Sequence, residues 1–419
     1  MNRQADDEIV VATEQLPLVR SVLQGGGLPA TTGTPQHEPR VGLSLLQLVE
    51  VDRLAQDLQE RWEKLNRPNS GPEPGDDIDR VLRNVRLICE DGYAGWTPTV
   101  GKNRTMTGVQ FKPYPNAGGE EEPTPVDPPA RPQLSRREGD PIRVGVLDTP
   151  LYPHPVLAGR YVAEDDALLP EHGVGRWWWL AHSAFIGSLV LRHAPTAELD
   201  VRTPLRPGEL KDDWQMKVWD LAGRILDYRD SGVQVLNLSL GTVTTDGKPP
   251  LVLERAVGQL IPSVVVVAAA GNHGSEDITD DDRTSDDLPP RYAAMWPAAL
   301  DGVVAVGAAD AKGEPAGFNP RNGKHLDLVA PWIDLLAPGV EVTGAYFGSG
   351  KPERVRLRRR REPRDVTSGE FCGGAIWSGT SFAAAVVTGA IAARIQAGRS
   401  SQEALDDVRT GRDPHIRRP

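Results

Sequence analysis

SVVVVAAAGNHG, residues 263–274, holds seven consecutive apolar residues, Val264–Ala270, closed by Gly271 and Asn272. Its β-branched run favours an extended chain, and it falls well short of the ~20 apolar residues that span a bilayer. With no polar residue alternating in, it reads as a strand buried on both faces, the pattern of a parallel sheet covered by helices. Working outward, similar runs recur upstream as IRVGVLD (142–148), ELDVRT (198–203) and VQVLNLSL (233–240), and downstream as GVVAVGAA (302–309). Helix-length segments separate them. Strands alternating with crossover helices predict an α/β fold, a three-layer domain on a parallel sheet over residues 141–400.

Open α/β sheets gather functional groups at the carboxyl ends of their strands. Asp148 stands at such an end; alone it is equally a cap or turn residue. His182 opens the helix-length segment AHSAFIGSLVLRHAP (181–195), where a plain helix-start residue would also sit. Asn272, just past a strand, offers an amide donor to a developing oxyanion, although Asn-His-Gly also suits a turn. Ser381 opens the Ala-rich helix of IWSGTSFAAAVVTGAIAARI (376–395). A nucleophile there has a free backbone N–H and a favourable helix dipole beside it, whereas an isolated serine would be an ordinary cap.

Together these segments resemble the subtilase family of serine peptidases over roughly residues 141–396. The order Asp, His, Ser is the family's order. GTSFAAA (379–385) matches the family's Gly-Thr-Ser-Met/Phe-Ala-Ala-Pro except at Ala385, and Gly271–Asn272 match its Gly-Asn. NLSLG (237–241) resembles the strand that pairs with extended substrate, and WPAALDGVVAVGA (296–308) and IDLLAPG (333–339) are similar to core segments. The resemblance implies a subtilisin-like serine endopeptidase with a triad of Asp148, His182 and Ser381 and with Asn272 in the oxyanion hole. By similarity, Ser239, Leu240 and Gly241 on one side and Ala268, Ala269, Ala270 and Gly271 on the other flank a groove for a polypeptide substrate. Acyl transfer by such a triad needs no metal or cofactor.

Three motif positions depart from the family: Pro150 replaces a glycine, Ser183-Ala184 replace Gly-Thr, and Ala385 replaces a proline. His172 in PEHGVG (170–175) is the rival base, since glycine follows it; His182 is preferred because an apolar-faced helix and ELDVRT come after it. Trp177–Trp179 either wall the groove or simply pack. Subtilases often hold structural calcium, for which the acidic EDITDDDRTSDD (276–287) is the candidate. Its spacing matches no EF-hand loop, and a solvated insertion is the plainer reading.

Residues 1–112 combine short apolar runs, EIVVA (8–12) and VGLSLLQL (41–48), with two amphipathic segments, VDRLAQDLQERWEKLN (51–66) and DDIDRVLRNVRLICEDGY (76–93). This predicts a small α+β domain. Two readings stay open for it: a pro-domain-like unit acting on the peptidase domain, or a sensor that binds a regulator. Residues 113–140, rich in Pro, Gly and acids, read as a linker, and 401–419 as a polar tail.

A formal charge of -11 argues against a general nucleic-acid partner. The basic run RVRLRRRR (354–361) could contact an acidic partner, and a solvated hairpin or mobile loop is the plainer reading. The first residues lack the basic and apolar regions of a secretory signal, so the expectation is a cytoplasmic protein with no membrane partner. Two cysteines, Cys89 and Cys372, make no disulfide framework. Two rival functions remain: a peptide-capturing module without turnover, and a small-ester hydrolase that keeps the triad.

Overall fold

The computed structural model describes residues 7–25, 30–65, 76–108, 122–130, 141–169, 176–204, 216–244, 246–261, 263–275, 289–348, 350–358, 366–411 and 413–419. The chain divides into two compact units.

The first unit comprises Met1–Thr105 with Lys217–Leu226 and Pro250–Gln259. Its N-terminal part runs β1 (Glu8–Ala12), α1 (Leu16–Gln24), β2 (Thr31–Glu38), β3 (Leu43–Leu48), α2 (Val51–Glu63), α3 (Asp77–Gly92) and β4 (Val100–Lys102). The strands form a sheet in the order β2-β3-β1-β4, with Val10 of β1 opposite Leu45 on β3 and Gly101 on β4. Ile9 and Val11 point into a core with Leu54 and Leu58 of α2 and Val81 and Val85 of α3. The Asp76 carboxylate accepts the backbone N–H groups of Ile78 and Asp79, capping α3.

Glu8, Val10 and Ala12 alternate with that face and are buried as well. Glu8 Oε1 accepts Lys217 Nζ at 2.6 Å, Glu8 Oε2 accepts Asn103 Nδ2 at 2.8 Å, and Asn103 Oδ1 accepts the Trp219 N–H at 3.1 Å. Arg255 Nη1 donates to the Val41 carbonyl at 2.9 Å. The α+β content expected of residues 1–112 is present, but the unit also takes in two distant segments that no local pattern ties to it.

The second unit comprises Met106–Met216, Asp227–Pro249 and Leu260–Pro419. The elements that position the site are β5 (Thr105–Gly108), β6 (Arg143–Leu147), β7 (Tyr161–Ala163), α4 (His182–His193), β8 (Glu198–Arg202), β9 (Val235–Leu238), β10 (Leu240–Val243), β11 (Val265–Ala269), β12 (Met295–Trp296), β13 (Val304–Ala309), β14 (Leu335–Pro338), α5 (Thr380–Gln396) and α6 (Ser401–Arg409). Seven strands make one parallel sheet in the order β14-β13-β11-β9-β6-β8-β7. The run from which the reading began is the interior strand β11, flanked by β9 and β13 and buried throughout.

Ala383, Ala384, Val387 and Ile391 of α5 share a core with Val267 of β11, Val306 of β13 and Leu335 of β14. Small residues let α5 come close. A Cβ on Gly389 would stand 2.8 Å from the Val190 carbonyl oxygen and 2.9 Å from His193 Cβ, so α5 meets α4 nearly backbone to backbone. No helix among the described residues is long and apolar enough to cross a membrane.

Two segments differ from expectation. Within the expected linker, Thr124–Val126 pairs antiparallel with Gly374–Trp377, which satisfies backbone groups that a free tether would leave to water. In the expected polar tail, Ser401–Arg409 is helical, begun by a reciprocal Ser400–Glu403 capping box, and buries Leu405 and Val408.

Candidate active site

Asp148 follows β6, and its Oδ1 accepts the His182 Nδ1–H at 2.7 Å and the Thr149 N–H at 2.7 Å. The two side chains are 3% and 1% exposed. Because a carboxylate only accepts, this bond places the proton on Nδ1 and leaves Nε2 as the basic nitrogen. Thr149 Oγ1 in turn accepts the Ser183 N–H at 3.0 Å, one of the donors that a helix start leaves unmade. Thr149 therefore fastens α4 to the end of β6, a role the sequence reading missed because the partner lies in another segment.

The imidazole sits among aromatic rings. Trp377 meets it edge-on at 5.7 Å between centroids, and Phe382 lies at 5.6 Å. Trp178 packs edge-on against Trp377 at 5.5 Å, and Trp177, Trp178 and Trp179 are all buried. The Arg356 guanidinium stands over the Trp177 ring at 5.6 Å, on the described part of the basic hairpin. His172 and the acidic segment 276–287 lie outside the described residues.

Ser381 is the second residue of α5, and its buried Oγ has no hydrogen-bond partner among the described residues. Its carbonyl accepts Ser239 Oγ at 3.2 Å; Ser239 Oγ accepts Asn237 Nδ2 at 2.8 Å, and Asn237 Oδ1 accepts Thr388 Oγ1 at 3.1 Å. A buried polar chain thus ties the serine turn to the end of β9. Asn237 and Thr388 carry no local signal beyond being polar in apolar runs.

Asn272 is oriented from α5. Its Oδ1 accepts both the backbone N–H and the hydroxyl of Thr380 at 3.0 Å each, while Thr380 Oγ1 accepts the Gly271 N–H at 3.0 Å. Since Oδ1 must face those donors, Nδ2 faces the other way, buried and without a partner among the described residues. Leaving such a donor unmade costs ~1–3 kcal/mol, so it calls for an acceptor supplied from outside. Gly271 has φ +102°, where a side chain would be strained.

The expected groove strands are also adjacent to these groups. Leu240 and Gly241 on β10 pair antiparallel with Gly108 and Thr107 of β5. On the opposite side, Ala268 is held within the sheet by Leu238 and Ala305, and the Ala270 N–H bonds the Val306 carbonyl, so Gly271 is where the chain leaves the sheet. Cys89 and Cys372 are free thiols. Among the described residues no cluster of His, Cys, Asp and Glu is placed to hold a metal.

A family model described as the subtilase family matches residues 139–408. The chain is 30% identical over 220 residues to a thermophilic serine proteinase of Bacillus sp. (strain AK1), covering 49% of this chain and 46% of that protein. It is 28% identical over 291 residues to Mycosin-4 of Mycobacterium tuberculosis, covering 63% and 57%. Among solved structures, fervidolysin from Fervidobacterium pennivorans, a keratinolytic enzyme related to subtilisin, superposes with a TM-score of 0.57 at 17% identity, over 96% of this chain and 56% of that one. The chain spans about half the length of the curated relatives it matches.

Proposed function

The chain belongs to the subtilase family, and on that footing we propose that it is a serine endopeptidase whose reaction runs through Ser381, His182 and Asp148. The observation that carries this reading is Asn272, whose carboxamide is turned by Thr380 so that a buried N–H meets no acceptor among the described residues. A groove that only captured peptides would have no use for it.

An extended polypeptide pairs with Leu240–Gly241 and brings a carbonyl to Ser381. Ser381 Oγ attacks the carbonyl carbon while His182 Nε2 takes its proton, and Asp148 steadies the resulting imidazolium through Nδ1–H. The oxyanion accepts hydrogen bonds from Asn272 Nδ2–H and the Ser381 backbone N–H. His182 returns the proton to the departing amine, and water then releases the acyl group by the reverse steps.

The same backbone is already paired with the chain's own Thr107–Gly108. We infer that this segment closes the groove to substrate, residues 1–112 being the pro-domain-like unit. The test is labelling of the protein with a small fluorophosphonate, mapped by mass spectrometry, with Ser381→Ala as control and a Thr107→Pro/Gly108→Pro variant, in which neither residue has an N–H to donate to a neighbouring strand. The expected result is an adduct on Ser381 that forms faster in the proline variant. Peptide binding with no adduct in either folded form overturns the peptidase reading in favour of capture. Equal rates overturn closure by the strand.

A further inference from the structure

Met295 of β12 is buried beside the proposed scissile bond, although no motif marks it. It lies opposite Val243 of β10, and its thioether stretches between two glycines on different segments. A Cβ on Gly241 would stand 2.5 Å from Met295 Sδ and 2.7 Å from its Cγ; a Cβ on Gly271 would stand 2.7 Å from its Cε. One side chain therefore touches both walls of the expected groove. Behind Gly271 the same space is bounded by the His273 ring, whose Nδ1 would be 2.9 Å from that Cβ and whose Nε2 donates to the Ala293 carbonyl at 3.0 Å.

The register says which substrate residue meets this obstacle. β5 places successive residues opposite Gly241 and Leu240. A substrate in that register sets its next residue opposite Ser239, whose hydroxyl holds the Ser381 carbonyl. On the peptidase reading above, the carbonyl of that residue would be the one Ser381 attacks, and its side chain would enter the space between Gly241 and Gly271, where Met295 lies.

Resting on the peptidase reading above, we propose that Met295 closes the pocket for the side chain on the acyl side of the scissile bond, so that the enzyme cleaves after glycine, alanine or serine and rejects leucine and phenylalanine. A hydrophobic pocket discriminates by ~10–200-fold per methylene of misfit. Where the interior is close-packed, a side chain already filling the pocket leaves no void for a larger one to enter.

The experiment uses the protein in the form that a fluorophosphonate labels at Ser381, as purified or carrying Thr107→Pro/Gly108→Pro. Peptide substrates identical except for alanine or phenylalanine before the cleaved bond are compared by kcat/KM in the wild type, Met295→Gly, Met295→Ala and Met295→Leu. We expect an alanine preference of about 100-fold or more in the wild type and Met295→Leu, falling by at least about 10-fold in Met295→Gly and Met295→Ala. Fluorophosphonate labelling of each variant shows that its site is folded. Equal cleavage of both peptides by the wild type, or an unchanged ratio in labelled Met295→Gly and Met295→Ala, overturns the proposal while leaving the peptidase reading intact. No Ser381 adduct in the wild type overturns both.

Discussion

Asn272 Oδ1 accepts two hydrogen bonds from a single residue, the backbone N–H and the hydroxyl of Thr380, each at 3.0 Å. Thr380 immediately precedes Ser381, so the proposed nucleophile and the proposed oxyanion donor are set by the same helix turn. Thr380→Val keeps the shape and the backbone donor but removes the hydroxyl, loosening the amide and freeing the Gly271 N–H. The expected outcome is a ~10-fold or greater fall in kcat with little change in KM, restored in Thr380→Ser. Asn272→Ala, which deletes the donor itself, should cost ~10²–10³ in kcat. Steady-state kinetics on a peptide substrate check both.

Asp148→Asn should lower kcat by ~10⁴. Asparagine supplies no charge to the imidazolium and presents an N–H where Nδ1–H needs an acceptor at 2.7 Å. Because the three residues act as a unit, adding Ser381→Ala to this variant should cost far less than the product of the single losses. Single-turnover measurements decide it.

Gly389→Ala should destabilise the protein by ~1–3 kcal/mol, the usual penalty for overpacking. The added methyl meets backbone atoms of α4, chiefly the Val190 carbonyl oxygen, and not the end of a flexible side chain. Since α4 carries His182 and α5 carries Ser381, activity should fall with stability. Urea unfolding and peptide hydrolysis on the same preparations test the link.

His154 makes stability depend on pH. Burial holds its imidazole neutral down to about 4, and Nδ1 accepts the Val156 N–H at 3.1 Å, a bond that protonation would break. The unfolded chain protonates near ~6.5, so between that pH and about 4 it binds more protons than the folded protein, and stability falls as the pH drops through that window. The contribution is fully present above ~6.5. His154→Asn, whose side-chain oxygen also accepts at a helix start but does not titrate, should lose up to ~2 kcal/mol less than wild type between about pH 7 and pH 5. Urea midpoints at the two pH values give the answer.

Much of this was legible in the linear chain. The buried strands β6, β8, β9, β11 and β13 lie in the apolar runs that announced them. The four groups proposed to react stand in short motifs, because a serine at a helix start or an asparagine past a strand end is fixed by local backbone geometry. The Ser400–Glu403 capping box was equally readable, yet the helix after it went unread because its polar composition masked Leu405 and Val408. The strand at Thr124–Val126 left no trace, since a proline-containing strand has little β signal of its own and takes its pairing from Gly374–Trp377.

By itself the sequence determined which residues must be buried, where helices begin and which chemical groups are available, because periodicity, capping and motif spacing are properties of neighbouring residues. Only the tertiary structure decided which way Asn272 points, since the donors that turn it lie 108 residues away. Likewise, Lys217 meets Glu8 across 209 residues, and Met295 stands between Gly241 and Gly271. Contacts at such separations repay the entropy of closing long loops only when the whole core forms around them, so no local pattern encodes them.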